Sequence, residues 1–171
     1  MDERYYLAYG SNLSVEQMER RCPGAVYVGT AELKGYRLLF KKSKSGSYLT
    51  VEKKRGRSVP LVVWRISEYH EKRLDRFEGC PVYYYKTTKA VDVHNLLDGG
   101  FLGMVEGIIY ILHEERPLGV PTFRYFNLCM EGYERFGFDM NLMEKAVEES
   151  LGKRLAKRWF EAYDTAPANM L

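Results

Sequence analysis

The stretch Tyr6-Leu7-Ala8-Tyr9-Gly10-Ser11-Asn12-Leu13 is the most informative part of the sequence, because an apolar run passes through Gly-Ser-Asn directly into a helical pattern. Ser14 and Gln17 have capping-box spacing, which predicts Ser14 as the helix N-cap. We therefore expect a short strand, a turn at Gly10 and a helix. Free backbone N–H groups at such a junction favour a carboxylate or a developing oxyanion. An ordinary strand-to-helix turn has the same pattern.

A second informative segment covers residues 64–79 and has the pattern of a strand followed by a helix. Ser67 predicts the helix N-cap, and Gly79 predicts a left-handed residue at the helix end. Glu78 is an unfavourable residue for the last turn of a helix. Its carboxylate faces the negative end of the helix dipole, and Asp75 places a like charge one turn behind it. With partial burial, both effects raise a carboxyl pKa towards the range of a proton shuttle. A solvated glutamate at a helix end is the alternative.

Together with a third segment, these motifs resemble the gamma-glutamylcyclotransferase superfamily, which includes AIG2-like proteins and gamma-glutamylamine cyclotransferases. The segments that carry the resemblance are Tyr9–Leu13, Val62–Gly79 and Pro121–Tyr133. The similarity extends over most of the chain to about Asp139. It implies an α+β fold, a mixed β-barrel with flanking helices and a pocket at one mouth.

The resemblance also implies a reaction. The α-amine of a gamma-glutamyl substrate attacks the side-chain carbonyl, which releases 5-oxoproline and a free amine or amino acid. Glu78 is then the catalytic acid and base, and this chemistry requires no metal and no cofactor. The substrate-binding residues that the resemblance implies are Tyr9, Gly10, Ser11, Asn12, Leu13, Tyr85 and Tyr125.

Two departures from the family pattern concern the pocket. Leu61 stands where relatives often have glycine, and the run Tyr83-Tyr84-Tyr85 offers three candidates for one pocket tyrosine. Strand alternation places Tyr83 and Tyr85 on one face and Tyr84 on the other, so the three cannot all line the pocket. Of these we favour Tyr85.

Length and composition predict one domain, residues 1–171, with residues 141–171 as a C-terminal helical extension. The chain has 171 residues, is 46% hydrophobic and carries a net charge of +3, which does not by itself indicate nucleic-acid binding. Cys22, Cys80 and Cys129 form no CxxC pair, and their odd number argues against a complete disulfide framework. We expect a soluble cytoplasmic protein without a signal peptide or membrane span. The oligomeric state is left open.

Alternating or apolar runs predict a curled sheet or barrel followed by helices. The predicted strands lie at residues 26–40, 47–52, 59–66, 83–93 and 104–112. Glycine-containing turns are predicted at residues 34–35, 43–46, 55–57 and 98–100. Further helices follow from the spacing of Phe126 and Tyr133, from a cap at Asn141, and from an apolar stripe that continues past Gly152 to Trp159.

Competing functions come from other features of the sequence. A basic cluster around Tyr48 is a candidate surface for nucleic acid or an acidic partner, although a solvated sheet edge is the interpretation that we favour. Its members are Lys41, Lys42, Lys44, Lys53, Lys54, Arg55 and Arg57. A ligand-binding relative without turnover and a related amide hydrolase or acyltransferase also compete with the cyclotransferase function. The three histidines lie too far apart in sequence to predict a metal site.

The sequence does not distinguish among four candidate substrates: glutathione, a gamma-glutamyl dipeptide, a gamma-glutamylated lysine and a gamma-glutamylated natural-product intermediate. All of them share the glutamyl end, so discrimination belongs to the wall of the pocket that contacts the leaving group. The loops at residues 96–102 and 114–121 are predicted to form that wall, because their glycine and proline content fits shaped loops.

Overall fold

The computed structural model describes residues 3–171, and its five strands form a closed barrel in the order β1-β3-β2-β4-β5. The strands are β1 (Arg4–Ala8), β2 (Val26–Lys42), β3 (Ser47–Ile66), β4 (Tyr84–His94) and β5 (Phe101–Leu112). β1 and β5 run parallel, whereas the other neighbours are antiparallel. The predicted mixed barrel is confirmed.

Helices flank the barrel at the start, middle and end of the chain, which confirms the α+β class. They are α1 (Val15–Arg21), α2 (Glu68–Glu78), α3 (Phe123–Arg135), α4 (Asn141–Leu151) and α5 (Lys153–Asp164), with 3-10 turns at Ser11–Leu13 and Ala168–Met170. α4 packs on the barrel, since Ser150 Oγ accepts from the Phe40 backbone N–H at 2.8 Å. The start of α4 coincides with the predicted boundary at residue 141, while the division into domain and extension stays a prediction. None of the helices within residues 3–171 combines the length and apolarity needed to cross a membrane.

Two of the predicted strand breaks are wrong. β2 and β3 continue through Gly35 and Gly56, which have φ angles of 80° and 78°. The pairing shifts register after Lys34 and resumes at Tyr36, so the glycines allow a local bulge instead of ending the strands. The predicted turn at residues 43–46 is confirmed as the connection between β2 and β3.

Two predicted helix features also differ from the structure. Asn141 is the first residue of α4 rather than its cap, and its backbone N–H donates to Asp139 Oδ1 at 3.0 Å. The stripe beyond Gly152 belongs to a separate helix, α5, because Gly152 has a φ angle of 78° and interrupts the helical conformation. Trp159 is buried on α5 as expected.

The predicted basic cluster does not form one surface. Lys41 is buried, and its Nζ donates to Glu52 Oε2 and to the Glu114 carbonyl, both at 2.9 Å. In the barrel register Lys42 lies opposite Ser47, whereas Lys53 lies opposite Tyr36. The two halves are therefore separated by six residues along β2, or about 20 Å at 3.3 Å per residue.

Candidate active site

The loop after β1 forms a 3-10 turn, Ser11–Leu13, and does not lead directly into α1 as predicted. The Leu13 N–H donates to the Gly10 carbonyl at 3.0 Å, which closes this turn. The Ser14 cap is confirmed, since Ser14 Oγ accepts from the Gln17 N–H at 3.1 Å. Among residues 3–171, no backbone carbonyl accepts from the N–H groups of Ser11 and Asn12. These two N–H groups can therefore donate to a ligand.

Asn12 is almost fully buried, and each face of its side-chain amide is fixed. Its Oδ1 accepts from Gln17 Nε2 at 3.2 Å and from Arg21 Nη1 at 2.9 Å. Because the Arg21 guanidinium can only donate, the amide oxygen faces Arg21 and the amide nitrogen points the other way, where it donates to the Tyr6 hydroxyl at 2.8 Å. The Trp64 indole also donates to the Asn12 carbonyl at 3.1 Å. The loop is thus tied to α1, β1 and β3.

Glu78 closes α2 beside this amide. Gly79 follows it in the left-handed conformation, as predicted, with a φ angle of 62°. The Glu78 side chain is 16% exposed, and its Oε1 lies 3.5 Å from Asn12 Nδ2 and 3.9 Å from Arg21 Nη1. Burial raises the pKa of Glu78 to about 7, and the Arg21 guanidinium opposes that rise. A carboxyl group with this pKa exchanges a proton readily at neutral pH.

The predicted contribution of Asp75 to that pKa is wrong. The Asp75 carboxylate turns away to Lys86, whose Nζ lies 2.9 and 3.0 Å from its two oxygens. Asp75 also accepts from the Tyr110 hydroxyl at 2.7 Å. Its charge is therefore neutralised locally, and desolvation of Glu78 is the main cause of the raised pKa.

Two adjoining cavities meet at Glu78. The inner one, here called the recess, has a volume of about 30 Å³ and is lined by Tyr6, Tyr9, Gly10, Ser11, Asn12, Leu49, Glu78, Tyr84, Tyr110 and Tyr125. The outer one, here called the cleft, has a volume of about 350 Å³. Ser11, Glu78, Tyr84 and Tyr125 line both. A ligand can therefore place its reactive end in the recess and the rest in the cleft.

The recess tyrosines are held by backbone groups. The Tyr84 hydroxyl donates to the Leu49 carbonyl at 3.1 Å, and the Leu49 N–H donates to the Tyr125 hydroxyl at 3.2 Å. The Tyr9 hydroxyl donates to the Tyr110 carbonyl at 2.5 Å. Burial raises the pKa of Tyr9, Tyr84 and Tyr125 well above the usual value, so these hydroxyls stay neutral.

The structure brings six of the eight residues predicted for the site together around the recess: Tyr9, Gly10, Ser11, Asn12, Glu78 and Tyr125. Leu13 does not line it, because this side chain is fully buried and packs on Gly132, where an added Cβ would lie 2.6 Å from Leu13 Cβ. The structure does not bring Tyr85 to the recess: its hydroxyl donates to Glu114 Oε1 at 2.5 Å, outside both cavities, so its role in substrate binding stays a prediction. Alternation does separate Tyr84 from Tyr85, and the recess receives Tyr84.

Sequence reasoning missed several lining residues. Tyr6 shares a strand face with Ala8, and alternation gives no link between it and Tyr9, three residues further along the chain. Leu49 could not be identified from the sequence, because it binds Tyr84 and Tyr125 through its backbone carbonyl and N–H groups. The wall of the cleft was also misplaced: it contains the turn at residues 43–45 and the end of α2. The loop at residues 96–102 instead borders a separate cavity between β2 and β4, and residues 114–121 line neither the recess nor the cleft. Leu61, the other departure from the pattern, is buried and lies outside the lining of the recess.

Within residues 3–171, no three His, Cys, Asp or Glu side chains are grouped so that they could hold a metal ion. Among the described residues that line the recess, the carboxyl group is Glu78, and hydroxyl and amide groups surround it.

Comparison with known proteins gives a consistent family. The family model described as gamma-glutamyl cyclotransferase, AIG2-like, matches residues 6–125. The gamma-glutamylcyclotransferase of Homo sapiens is 33% identical over 147 residues, which cover 82% of this chain and 75% of the human protein. The protein of the same name from Bos taurus is 36% identical over 81 residues. That match spans 43% of each chain, so it covers less than half the length of the bovine relative.

Two solved structures share the fold. One, described as a gamma-glutamyl cyclotransferase, has a TM-score of 0.70 at 23% identity, with 94% of this chain and 99% of that chain covered. A human protein described as uncharacterized has a TM-score of 0.69 at 24% identity, with 85% of this chain and 87% of that chain covered. Both likenesses concern the fold alone.

Proposed function

The chain belongs to the gamma-glutamyl cyclotransferase, AIG2-like family, and from this premise we propose that it converts a gamma-glutamyl amine or small gamma-glutamyl peptide to 5-oxoproline and a free amine. The observation that carries the proposal is the buried Glu78 carboxyl, with a pKa of about 7, at the junction of the recess and the cleft. The names of the family and of the relatives support an enzyme of this type. A cytoplasmic location stays a prediction from the sequence.

The proposed reaction needs no nucleophile from the protein. The α-amine of the glutamyl group attacks its own γ-carbonyl carbon, so one C–N bond forms within a five-membered ring and the original amide C–N bond breaks. A small recess supports this step by holding the glutamyl chain in a folded conformation, which brings amine and carbonyl together. The leaving amine then occupies the cleft.

Glu78 carries the proton in this mechanism. Its ionised carboxylate takes a proton from the substrate ammonium group, which frees the amine for attack. The same carboxyl group returns this proton to the leaving nitrogen as the amide bond breaks. The ring nitrogen then releases its second proton, which the free amine takes up as it becomes an ammonium group, so Glu78 ends the cycle ionised. The amide of Asn12, 3.5 Å from Glu78 Oε1, supports the ionised form by offering an N–H to the carboxylate.

The loop supplies the complementary donors. The N–H groups of Ser11 and Asn12 are proposed to bind an oxygen of the substrate, either its α-carboxylate or the oxyanion that forms on the γ-carbonyl. Both groups lie at a turn whose third N–H is already used by Gly10. The backbone of this turn is therefore fixed before substrate binds.

The first experiment measures 5-oxoproline release from a panel of gamma-glutamyl dipeptides and gamma-glutamyl amines. We expect Glu78→Gln to lower kcat by about 10³-fold, within the usual range for loss of a general acid–base. Glu106→Gln is the matched control, because this carboxylate is exposed on β5 and lines neither cavity. It should retain wild-type kcat.

Both variants must first show the same circular dichroism spectrum and a cooperative melt. Turnover by wild type that persists in Glu78→Gln would overturn the role of Glu78. If wild type releases no 5-oxoproline from any substrate, the proposed activity itself fails, and a ligand-binding relative without turnover becomes the better interpretation. Free glutamate in place of 5-oxoproline would indicate the amide hydrolase.

A further inference from the structure

The cleft is distinguished from the recess by its positive charge. Three cationic side chains line it: Arg21 from α1, Lys44 from the turn between β2 and β3, and Arg76 from the last turn of α2. Among the described residues that line this cleft, the acidic side chain is Glu78. With Glu78 ionised, the cleft therefore carries two uncompensated positive charges.

The three cations are not equivalent. Arg21 serves the site itself, because its guanidinium bonds Asn12 Oδ1, lies 3.9 Å from Glu78 Oε1 and stacks over the Phe77 ring at 5.0 Å. Its charge is matched by that of Glu78. Lys44 and Arg76 are exposed, and within residues 3–171 neither of them forms an ion pair with a carboxylate. These two are the charges that a bound ligand can meet.

We propose that the cleft selects a leaving group with two negative charges, so that acidic gamma-glutamyl peptides, such as gamma-glutamyl-glutamate, are the preferred substrates. This inference rests on the proposed function, because it takes the leaving group to occupy the cleft. The leaving residue of such a peptide brings one α-carboxylate and one side-chain carboxylate. These two charges balance those of Lys44 and Arg76.

The shape and chemistry of the cleft agree with this substrate class. A volume of about 350 Å³ falls near the lower end of the roughly 300–1,000 Å³ found for small-ligand sites. A leaving residue with a cationic side chain, such as lysine joined through its α-amine, would instead place an ammonium group beside two like charges. Since both cations are exposed, their effect should be moderate and should weaken as salt is added.

The test compares three substrates that differ mainly in the charge of the leaving residue: gamma-glutamyl-glutamate, gamma-glutamyl-glutamine and gamma-glutamyl-lysine. Glutamate and glutamine have nearly the same shape, so their kcat/KM ratio isolates one charge. We expect a ratio of about 5–10 at low ionic strength, falling towards 1 in 0.5 M salt. Gamma-glutamyl-lysine should be the poorest of the three.

The double variant Lys44→Gln/Arg76→Gln should bring the glutamate-to-glutamine ratio to within about twofold of 1. Lys54→Gln is the matched control, because Lys54 is an exposed cation on β3 that does not line the cleft. It should leave the ratio unchanged. A wild-type ratio near 1, a preference for glutamine, or a ratio that survives in the double variant would each overturn the proposal.

Binding separates this proposal from the proposed activity. In Glu78→Gln, calorimetry measures the affinities for the glutamate and glutamine peptides without requiring turnover. Tighter binding of the glutamate peptide, lost in the triple variant with Lys44→Gln and Arg76→Gln, supports the charge selection even if no 5-oxoproline forms. Equal affinities, or no detectable binding of either peptide, overturn it even if wild type releases 5-oxoproline from both.

Discussion

The recess and the cleft share a border at Glu78, yet they are built from opposite kinds of residues. Buried hydroxyl and amide groups with fixed hydrogen-bond partners surround the recess, where Glu78 is the ionisable group with a shifted pKa near neutrality. Exposed cations without a carboxylate partner among the described residues line the cleft. Burial gives the recess the low dielectric that proton transfer uses, whereas the open cleft can only bias which ligand enters.

This difference ranks the expected effects of mutation. Electrostatic interactions strengthen as the effective dielectric falls, so changes in the recess should be large and insensitive to salt. Changes in the cleft should be smaller and should vanish in salt, because exposed charges are screened within about 10 Å at 0.1 M ionic strength. Four measurements test this contrast.

The largest effect should come from the pH dependence of stability in the recess. Because the folded pKa of Glu78 is about 7 and the unfolded value is near 4.5, the folded state holds a proton that the unfolded state releases between these pH values. The pH-dependent cost of burying Glu78 is therefore absent well below pH 4.5, and it reaches on the order of 3 kcal/mol above pH 7. Glu78→Gln lacks this titration. Its stability relative to wild type should therefore rise by that amount from pH 4.5 to pH 8.

Urea melts at the two pH values measure this change, with Glu106→Gln as the control that should show none. A stability difference between Glu78→Gln and wild type that is the same at pH 4.5 and pH 8 would show that Glu78 titrates normally. The premise of the proton shuttle would then fail as well.

The next effect concerns Asn12. Asn12→Ala removes the N–H near Glu78 and leaves the donors of Gln17 and Arg21 without their shared acceptor. We expect kcat to fall about 30-fold and stability to fall by about 1–3 kcal/mol, the usual cost of unsatisfied buried polar groups. Asn95→Ala, in the loop before β5, is a control with little effect on kcat. Equal kcat in Asn12→Ala and wild type would exclude Asn12 from the site.

A smaller effect should separate two neighbouring tyrosines on β4. Tyr84→Phe removes a hydroxyl that lines the recess and bonds Leu49, whereas Tyr85→Phe removes one that bonds Glu114 outside it. We expect kcat/KM to fall about tenfold for Tyr84→Phe, consistent with the loss of one hydrogen bond of about 1–1.5 kcal/mol, and less than twofold for Tyr85→Phe. Steady-state kinetics of wild type and both variants on one gamma-glutamyl dipeptide measure these changes in kcat/KM. The reverse order would restore Tyr85 as the pocket tyrosine.

The smallest effect should come from the far end of the barrel. Leu97→Ser alters the loop between β4 and β5, which borders the cavity between β2 and β4 and not the cleft. We expect kcat/KM for acidic and neutral gamma-glutamyl dipeptides to change by less than about twofold, within the range typical of surface substitutions. A changed preference between the two substrates would place the wall of the cleft at residues 96–102 after all.

Local sequence patterns predicted the elements around the site well. The caps at Ser14 and Ser67, the left-handed Gly79 and the turn at residues 43–46 all depend on a few neighbouring residues, and all are present. Predictions that depended on contacts between different elements were less accurate. Asp75 was expected to act on Glu78 but pairs with Lys86, which lies on another element.

The sequence alone determined that a strand, a glycine turn and a capped helix stand at the start of the chain, and that a glutamate ends a later helix before glycine. These features follow from short-range hydrogen bonds and backbone conformations. The tertiary structure determined that Tyr84 and not Tyr85 reaches the recess, and that Lys44 and Arg76 both line the cleft while Lys41 is buried. The closure of the barrel sets those placements, because it fixes which face of each strand points inward and which separate elements become neighbours.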